Sequence, residues 1–287
     1  MNNNTKGILW MISTVFFSAI AATLMRLLAE DDFHPFQITF MSNLGALLFM
    51  SPWIIKLSKT KTLETIYTRG FRLYTSRSIF EFAGFSLIAF ATTMIPLPIL
   101  TSIQFTAPLM TIALAGYFLG EKSNIHTWLS MALGFGGVLI IVRPGFIEFN
   151  IGVLLVLIAA FCFATCGVLL KKLCNTEPPR SVAFYMFLIT GTIALPFAAI
   201  YWKNPDLEHL FLFLALGGAF YMLQYSVSHS FANADVTVIL PFSLLNLVFI
   251  SFSAYYIFGE LIDIWTILGS IIILGAAIYG VKKRAKH

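Results

Sequence analysis

Charge is what this sequence has least of. Only 11% of its 287 residues are Asp, Glu, Lys or Arg, while 59% are hydrophobic; a soluble domain carries about 25% charged residues. So few ions cannot solvate the surface of a soluble fold this long, which excludes a soluble kinase, a nuclease or a secreted scaffold. Cysteine is almost as scarce. Cys162, Cys166 and Cys174 fall within one apolar segment, so no disulfide framework is implied. Cys162 and Cys166 share a helix face, but no His or acid accompanies them, which favours packing over metal ligation. No metal and no cofactor is expected. Catalytic signatures are missing too. There is no Walker loop, no Gly-x-Ser-x-Gly elbow and no His-Glu-x-x-His, so the chain does not read as an enzyme.

Long apolar runs are plentiful. A spanning helix needs about 20 apolar residues, and ten such segments can be marked: Gly7–Ala29, Phe36–Ile55, Leu73–Met94, Ile99–Leu119, Ile125–Val142, Ile151–Leu170, Ser181–Trp202, Leu210–Phe231, Val236–Phe258 and Ile262–Val281. Breakers separate them: Pro35, Pro96, Pro98, Pro144, Gly145, Pro178, Pro179 and Pro205. The first run has a cleavage-like Ala19-Ile20-Ala21, but only Lys6 precedes it and the run is long, so it is read as a retained helix. Lysine and arginine then set the orientation. With the N-terminus in the cytoplasm, Arg143 and Lys203 are outside, Arg26 and Arg77 lie within segments, and every other Lys and Arg is inside. Most acids fall on the outer side. This asymmetry explains the net charge of +5 without nucleic acid, through contact with anionic inner-leaflet lipid.

The two halves repeat each other. Tyr117, Gly120, Glu121, Thr127 and Gly136 meet Tyr256, Gly259, Glu260, Thr266 and Gly275 at a constant offset of 139. Phe16, Ala19 and Arg26 meet Phe161, Ala164 and Lys171 at an offset of 145. A duplicated unit of five helices must insert its second copy upside down, as in many secondary transporters. The expected fold is therefore an all-α membrane protein of ten transmembrane helices in two inverted five-helix repeats, 7–142 and 151–281. A basic tail, 282–287, follows, and both termini are cytoplasmic. Glu121 is expected to cap its helix at the inner side and Glu260 at the outer side.

Pro108 followed by Gly120-Glu121, the run Gly134-Phe135-Gly136-Gly137 ending at Arg143-Pro144, and Pro241 with Gly259-Glu260 resemble the drug/metabolite transporter superfamily in its EamA-type branch of ten-helix carriers. The resemblance spans Gly7 to Val281. Within the branch, the stretch from Phe242 to Glu260 and the surroundings of Arg77 are most similar to rickettsial S-adenosylmethionine uptake carriers. Two departures stand out. Ser42 sits where family members often carry Arg, and Asn246 where the S-adenosylmethionine carriers have an acid, which removes a charge that a cationic substrate would meet. The resemblance implies a bacterial inner-membrane location.

Ionisable groups at membrane depth are costly and therefore informative. Arg77 and Glu81 are four residues apart and share a helix face. Either they neutralise each other and brace the bundle, or Arg77 meets a substrate carboxylate or phosphate while Glu81 tunes it or carries a proton. Arg26 with Glu30 reads as a helix-end surface pair. Asn43, Gln104, Gln224 and Asn246 are amides inside segments two, four, eight and nine; each can join helices or line a cavity. Tyr185, Tyr221 and Tyr225 are cavity candidates, because a buried hydroxyl wants a partner. His229, with Glu81, is a candidate for proton coupling. Trp10, Trp53, Trp128, Trp202 and Trp265 form an interfacial belt, and Pro108 and Pro241 can kink segments four and nine. These residues fit a secondary transporter working by alternating access on a small polar metabolite. An amino acid or derivative comes first and S-adenosylmethionine uptake is the alternative. The partners are the substrate and the lipid bilayer. From another class, an intramembrane enzyme or a scaffold lacks the motifs and long loops it would need.

Overall fold

The computed structural model describes residues 3–59, 70–91, 94–95, 100, 103–121, 124–142, 150–259 and 264–284. Pro96, Pro98, Arg143, Pro144, Gly145, Glu260 and the last residues of the basic tail lie outside them. The described residues contain eleven helices and no strand. These are α1 (Asn3–Glu30), α2 (Pro35–Lys59), α3 (Phe71–Ala91), α4 (Thr106–Leu119), α5 (Ile125–Val142), α6 (Ile151–Thr176), α7 (Pro179–Ile200), α8 (Leu207–Asn233), α9 (Val236–Ser243), α10 (Leu245–Phe258) and α11 (Ile264–Arg284). Five spans among the described residues are long and apolar enough to cross a membrane: α1, α6, α7, α8 and the bent pair α9–α10. Helices suit a bilayer because each closes its own backbone hydrogen bonds. Hydroxyl residues are tolerated inside them because they bond back one turn, as Thr14 does to the Trp10 carbonyl and Thr23 to the Ala19 carbonyl, each at 2.9 Å.

Segment nine is expected as one run and is broken at Leu244. Pro241 has no N–H for the preceding turn. Past it, Ser243 Oγ donates to the Leu240 carbonyl at 2.7 Å, and the Leu244 N–H turns to the Phe242 carbonyl. Segment four is interrupted at Phe105, where Thr106 Oγ1 donates to the Ile103 carbonyl at 2.6 Å and Pro108 cannot donate to Gln104. The two breaks stand at the same repeat offset of 139 although the prolines do not. The turns that end the two segments also match. Gly120 and Gly259 have φ of 67° and 65°, a left-handed conformation that glycine adopts without a Cβ clash.

Packing follows the same arithmetic. Helix α1 packs along α8, and α3 along α6; α2 faces α7, and α5 faces α11; α4 lies on α6, while α9 and α10 lie on α1. Exchanging each segment for the one five places away reproduces this set of pairs. Close crossings rest on small residues, as expected where lipid removes the hydrophobic drive between helices. A Cβ on Gly217 of α8 would stand 2.6 Å from Gly45 Cα of α2. At the end of the bundle holding the α1–α2 and α7–α8 turns, Gln37 is fully buried. It accepts from the Lys203 N–H at 2.9 Å and donates to the Lys203 carbonyl at 2.6 Å.

The crossing predicts a contrast. Gly217→Ala forces two backbones apart and costs about 1–3 kcal/mol. Gly136→Ala, whose Cβ meets nothing within 4 Å, is neutral or stabilising by roughly 0.5–1 kcal/mol. Thermal unfolding of the purified variants reads both, and equal shifts would refute the close α2–α8 approach.

Candidate functional site

A cavity of about 280 Å³ lies between α1, α2, α3, α7 and α8. Its wall is built from Ser18, Ala21, Ala22 and Met25 of α1, Thr39, Ser42 and Asn43 of α2, Glu81 and Phe85 of α3, Met186, Phe187 and Thr190 of α7, and Phe220, Leu223 and Gln224 of α8. Both halves of the chain contribute. The volume is just under the range of roughly 300–1,000 Å³ common for small-molecule sites, and the wall is mostly apolar with a few polar groups, as such sites are.

Glu81 is the single charged residue of that wall. One turn away, Arg77 is buried at 5% exposure and holds it with both guanidinium ends: Nη1 donates to Oε2 at 3.2 Å and Nη2 to Oε1 at 3.5 Å. Thr190 Oγ1 also donates to Oε2, at 3.3 Å, joining α7 to α3. The pair is unequally covered: 6% of the Arg77 side chain is exposed and 22% of Glu81. The carboxylate therefore fronts the cavity with the guanidinium behind it. Cys166 of α6 donates to the Arg77 carbonyl at 3.3 Å, the packing role its sequence context implies. Several other donors on the wall bond within the protein, each amide through one of its two N–H groups. Thr39 gives to the Pro35 carbonyl, Ser42 and Asn43 Nδ2 to the Thr39 carbonyl, and Gln224 Nε2 to Met186 Sδ.

Of the expected site residues, Asn43, Glu81 and Gln224 meet at this wall. Arg77 touches it only through Glu81. Gln104 is half-buried beside the Phe105 break. Asn246 lies just past the Leu244 break, with its Oδ1 buried and without a hydrogen-bond partner. Its neutrality therefore leaves the charge of the cavity unchanged. Tyr185 stacks near Tyr74, with ring centroids 4.9 Å apart. Tyr221, Tyr225 and His229 form an aromatic column along α8. The His229 ring lies 4.9 Å from Trp10 and 4.4 Å from Tyr225, and the Arg180 guanidinium lies over the Tyr225 ring at 5.7 Å. Arg26 is exposed and pairs with Glu30 at 3.0 Å. Sequence reasoning missed Thr190, Ser42 and Met186 as wall residues. Threonine and serine satisfy themselves cheaply inside helices, so nothing in their spacing marks them.

A second polar group ties one end of the bundle. Glu121 closes its own helix through its N–H, which donates to the Ala115 carbonyl at 3.4 Å, but its side chain goes elsewhere. Its two carboxylate oxygens accept the N–H groups of Val236 and Thr237, each at 3.2 Å, so it caps the start of α9, whose Asp235 makes no side-chain cap. The chain turns at Gly120 and aims Glu121 away from α4. Lys171, counted among the inner-side cations, is buried at 7% exposure. It donates to the Phe231 and Ala234 carbonyls at 2.9 and 2.7 Å and stands 3.7 Å from Asp235. Ser230 Oγ donates to the Gly7 carbonyl at 2.8 Å. Burial pushes the Glu121 carboxyl above its ordinary value of 4.5, against the pull of the Thr237 and Val236 amides; Asp235 adds to the rise and Lys171 opposes it.

A bent, all-helical membrane bundle enclosing a polar-edged cavity between its halves is the form of a carrier. Comparison agrees. The profile of the EamA-like transporter family matches residues 5–143 and again 150–280; the chain belongs to this family, a transporter family within the drug/metabolite transporter superfamily. An S-adenosylmethionine uptake transporter of Rickettsia bellii is 29% identical over 95% of this chain and 92% of its own length. One of Rickettsia prowazekii is 28% identical over 96% and 92%. A riboflavin transporter of Vibrio cholerae is 27% identical over 88% and 85%. A crystal structure at 14% identity superposes with a TM-score of 0.80, covering 99% of each chain, which shows the shared fold.

The two Arg–Glu pairs should differ in weight. Arg77→Met strands a half-buried carboxylate and should cost up to about 3 kcal/mol, the low end for breaking a buried pair. Arg26→Met removes an exposed pair worth about 0–1 kcal/mol. Thermal stability of the two purified variants separates them.

Proposed function

We propose that the chain is a secondary transporter that moves a small polar metabolite across the bacterial inner membrane by alternating access, with the cavity as its substrate site. The observation that carries this is the cavity itself, walled by α1–α3 from one half and α7–α8 from the other around a single ionic group. Each domain, 7–142 and 151–281, is read as one five-helix repeat. The odd helix count, the matched breaks at Phe105 and Leu244 and the exchange pattern of the helix pairs support an inverted relation between them. The lysine and arginine distribution supports cytoplasmic termini.

Amino acids and their derivatives fit the size and polarity of the cavity. S-adenosylmethionine, itself an amino-acid derivative, is favoured within that class by the names and the near-complete coverage of the rickettsial relatives. Glu81 is the coupling candidate that faces the cavity; His229 sits among rings at the tied end. That end, which the orientation makes cytoplasmic, is the proposed inner gate. The Glu121 cap and the Lys171 contacts bridge α4, α6, α8 and α9, and they must break for the inner side to open.

Two outcomes are expected. In proteoliposomes, Gln224→Leu should lower S-adenosylmethionine or amino-acid flux tenfold or more at unchanged membrane level. A carrier that works normally with this wall residue altered would sink the assignment of the site. The gate should answer to pH. Burial raises the Glu121 pKa in the closed structure, with Lys171 and Asp235 the charges beside it. The closed structure therefore binds this proton more tightly than a state in which the carboxyl is hydrated, whether the gate is open or the chain unfolded. Acid holds the gate closed, and the stability this group gives falls as pH rises through its raised pKa. Ser230→Cys should be labelled more slowly, relative to an exposed reference cysteine, as pH falls through this range, and Glu121→Gln should label slowly at every pH. Labelling indifferent to both would remove Glu121 from the gate.

A further inference from the structure

As a substrate site, the cavity is chemically one-sided, and the inference drawn from this rests on the transport function proposed for it. Among the wall residues only Glu81 is charged, and the cation that balances it, Arg77, lies behind it with 6% of its side chain exposed. A substrate carboxylate entering here would meet a carboxylate, not the guanidinium. The wall hydroxyls of Thr39, Ser42 and Thr190 are already donating, to backbone carbonyls or to Glu81 itself. The Asn43 and Gln224 amides each have a second N–H to offer, but these donors are neutral. The ionic capacity left over is that of an acceptor. Glu81 has about four lone-pair positions. Oε2 accepts two hydrogen bonds, from Arg77 and Thr190, while Oε1 accepts only a long one, 3.5 Å, from Arg77 Nη2.

The rest of the wall suits a cation as well. Phe85, Phe187 and Phe220 line the cavity, and aromatic faces attract onium groups such as ammonium. Met25 and Met186 add soft, polarizable sulfur. A carboxylate with an open oxygen inside an aromatic and thioether wall is a cation receptor.

We infer that the cavity selects the cationic centre of its substrate, an organic ammonium or sulfonium group placed against Glu81 Oε1 between the phenyl rings, and makes no use of a substrate carboxylate. Arg77 is then a positioning residue. It orients Glu81, and it is not an anion-binding group. Thr190 fixes Oε2 so that Oε1 is the oxygen presented. Selectivity should follow the charge of the substrate and ignore its acid group.

The test is equilibrium binding to the purified, full-length protein with matched probes: S-adenosylmethionine, its decarboxylated amine, neutral 5′-methylthioadenosine and neutral riboflavin. The two sulfonium probes should bind within about threefold of each other, and methylthioadenosine about tenfold or more weaker. Glu81→Gln should weaken both sulfonium probes by about tenfold or more and leave the neutral ones unchanged, whereas Glu81→Asp should keep most of the binding. The comparison of probes on the unaltered protein stands even if Glu81→Gln does not fold. Tight binding of S-adenosylmethionine with loss of the decarboxylated amine would overturn the inference, as would preference for a neutral probe or silence from both sulfonium compounds. Phe220→Trp, which fills the cavity, separates this failure from that of the site. Binding that is lost on filling but indifferent to charge refutes only the cation selection. Binding that survives filling refutes the cavity as the substrate site.

Discussion

Inside a bilayer no solvent answers a polar group, so each must be answered by another part of the same chain. The Arg77–Glu81 pair is where this constraint presses hardest. A guanidinium buried to 5% exposure requires a carboxylate, and one helical turn supplies it. The carboxylate then requires more donors than Arg77 can aim, and Thr190 supplies one from the other half of the chain. What remains of the pair's field emerges on the cavity side, because Glu81 is the less covered partner. Bracing the bundle and fronting the cavity are thus not competing roles. The same desolvation that forces the pair to form also decides which sign of charge the cavity presents.

The two helix breaks obey the same rule with different chemistry. A proline precedes the break at Leu244 by three residues and follows that at Phe105 by three, yet the breaks coincide in the repeat. In each, a hydroxyl one position from the break takes up a nearby carbonyl, Ser243 that of Leu240 and Thr106 that of Ile103. The backbone requirement is shared and the residues that meet it are not. Matched glycines at 120 and 259 show the opposite case, where only one residue type tolerates the φ and the sequence repeats it.

This difference explains what could be read from the sequence. The membrane class, the apolar segments and the glycine turns at 120 and 259 follow from hydropathy and from positions where few residue types will do. Glu81, Asn43 and Gln224 could be picked out because charge and amides are rare at depth. Thr190 and Met186 could not, since each is common in apolar helices and gains its role only from what stands across from it. Nor could the reach of Glu121 to α9 or of Lys171 to the end of α8. Both residues sit at segment ends, where charge is cheap, and only the packing of one helix end against another withdraws them from water. Gln104, Tyr225 and Asn246 show the converse: polar residues at depth that the fold spends elsewhere.

The ties at the two ends of the bundle differ in kind. Gln37 and the Lys203 backbone exchange two neutral amide bonds. At the other end the strongest contacts belong to Glu121 and Lys171, whose charges are partly or wholly withdrawn from water. A neutral amide pair has no proton to gain, so its strength is constant across physiological pH. An ionic tie changes with the protonation of its members, and one whose carboxyl is held by burial above its ordinary pKa loosens as that carboxyl ionises and rehydrates. A carrier that must open one end without loosening the whole bundle is served by this unequal arrangement. The amide clamp ties α2 to the α7–α8 turn, and the titratable tie is confined to the seam where α4 and α6 meet α8 and α9.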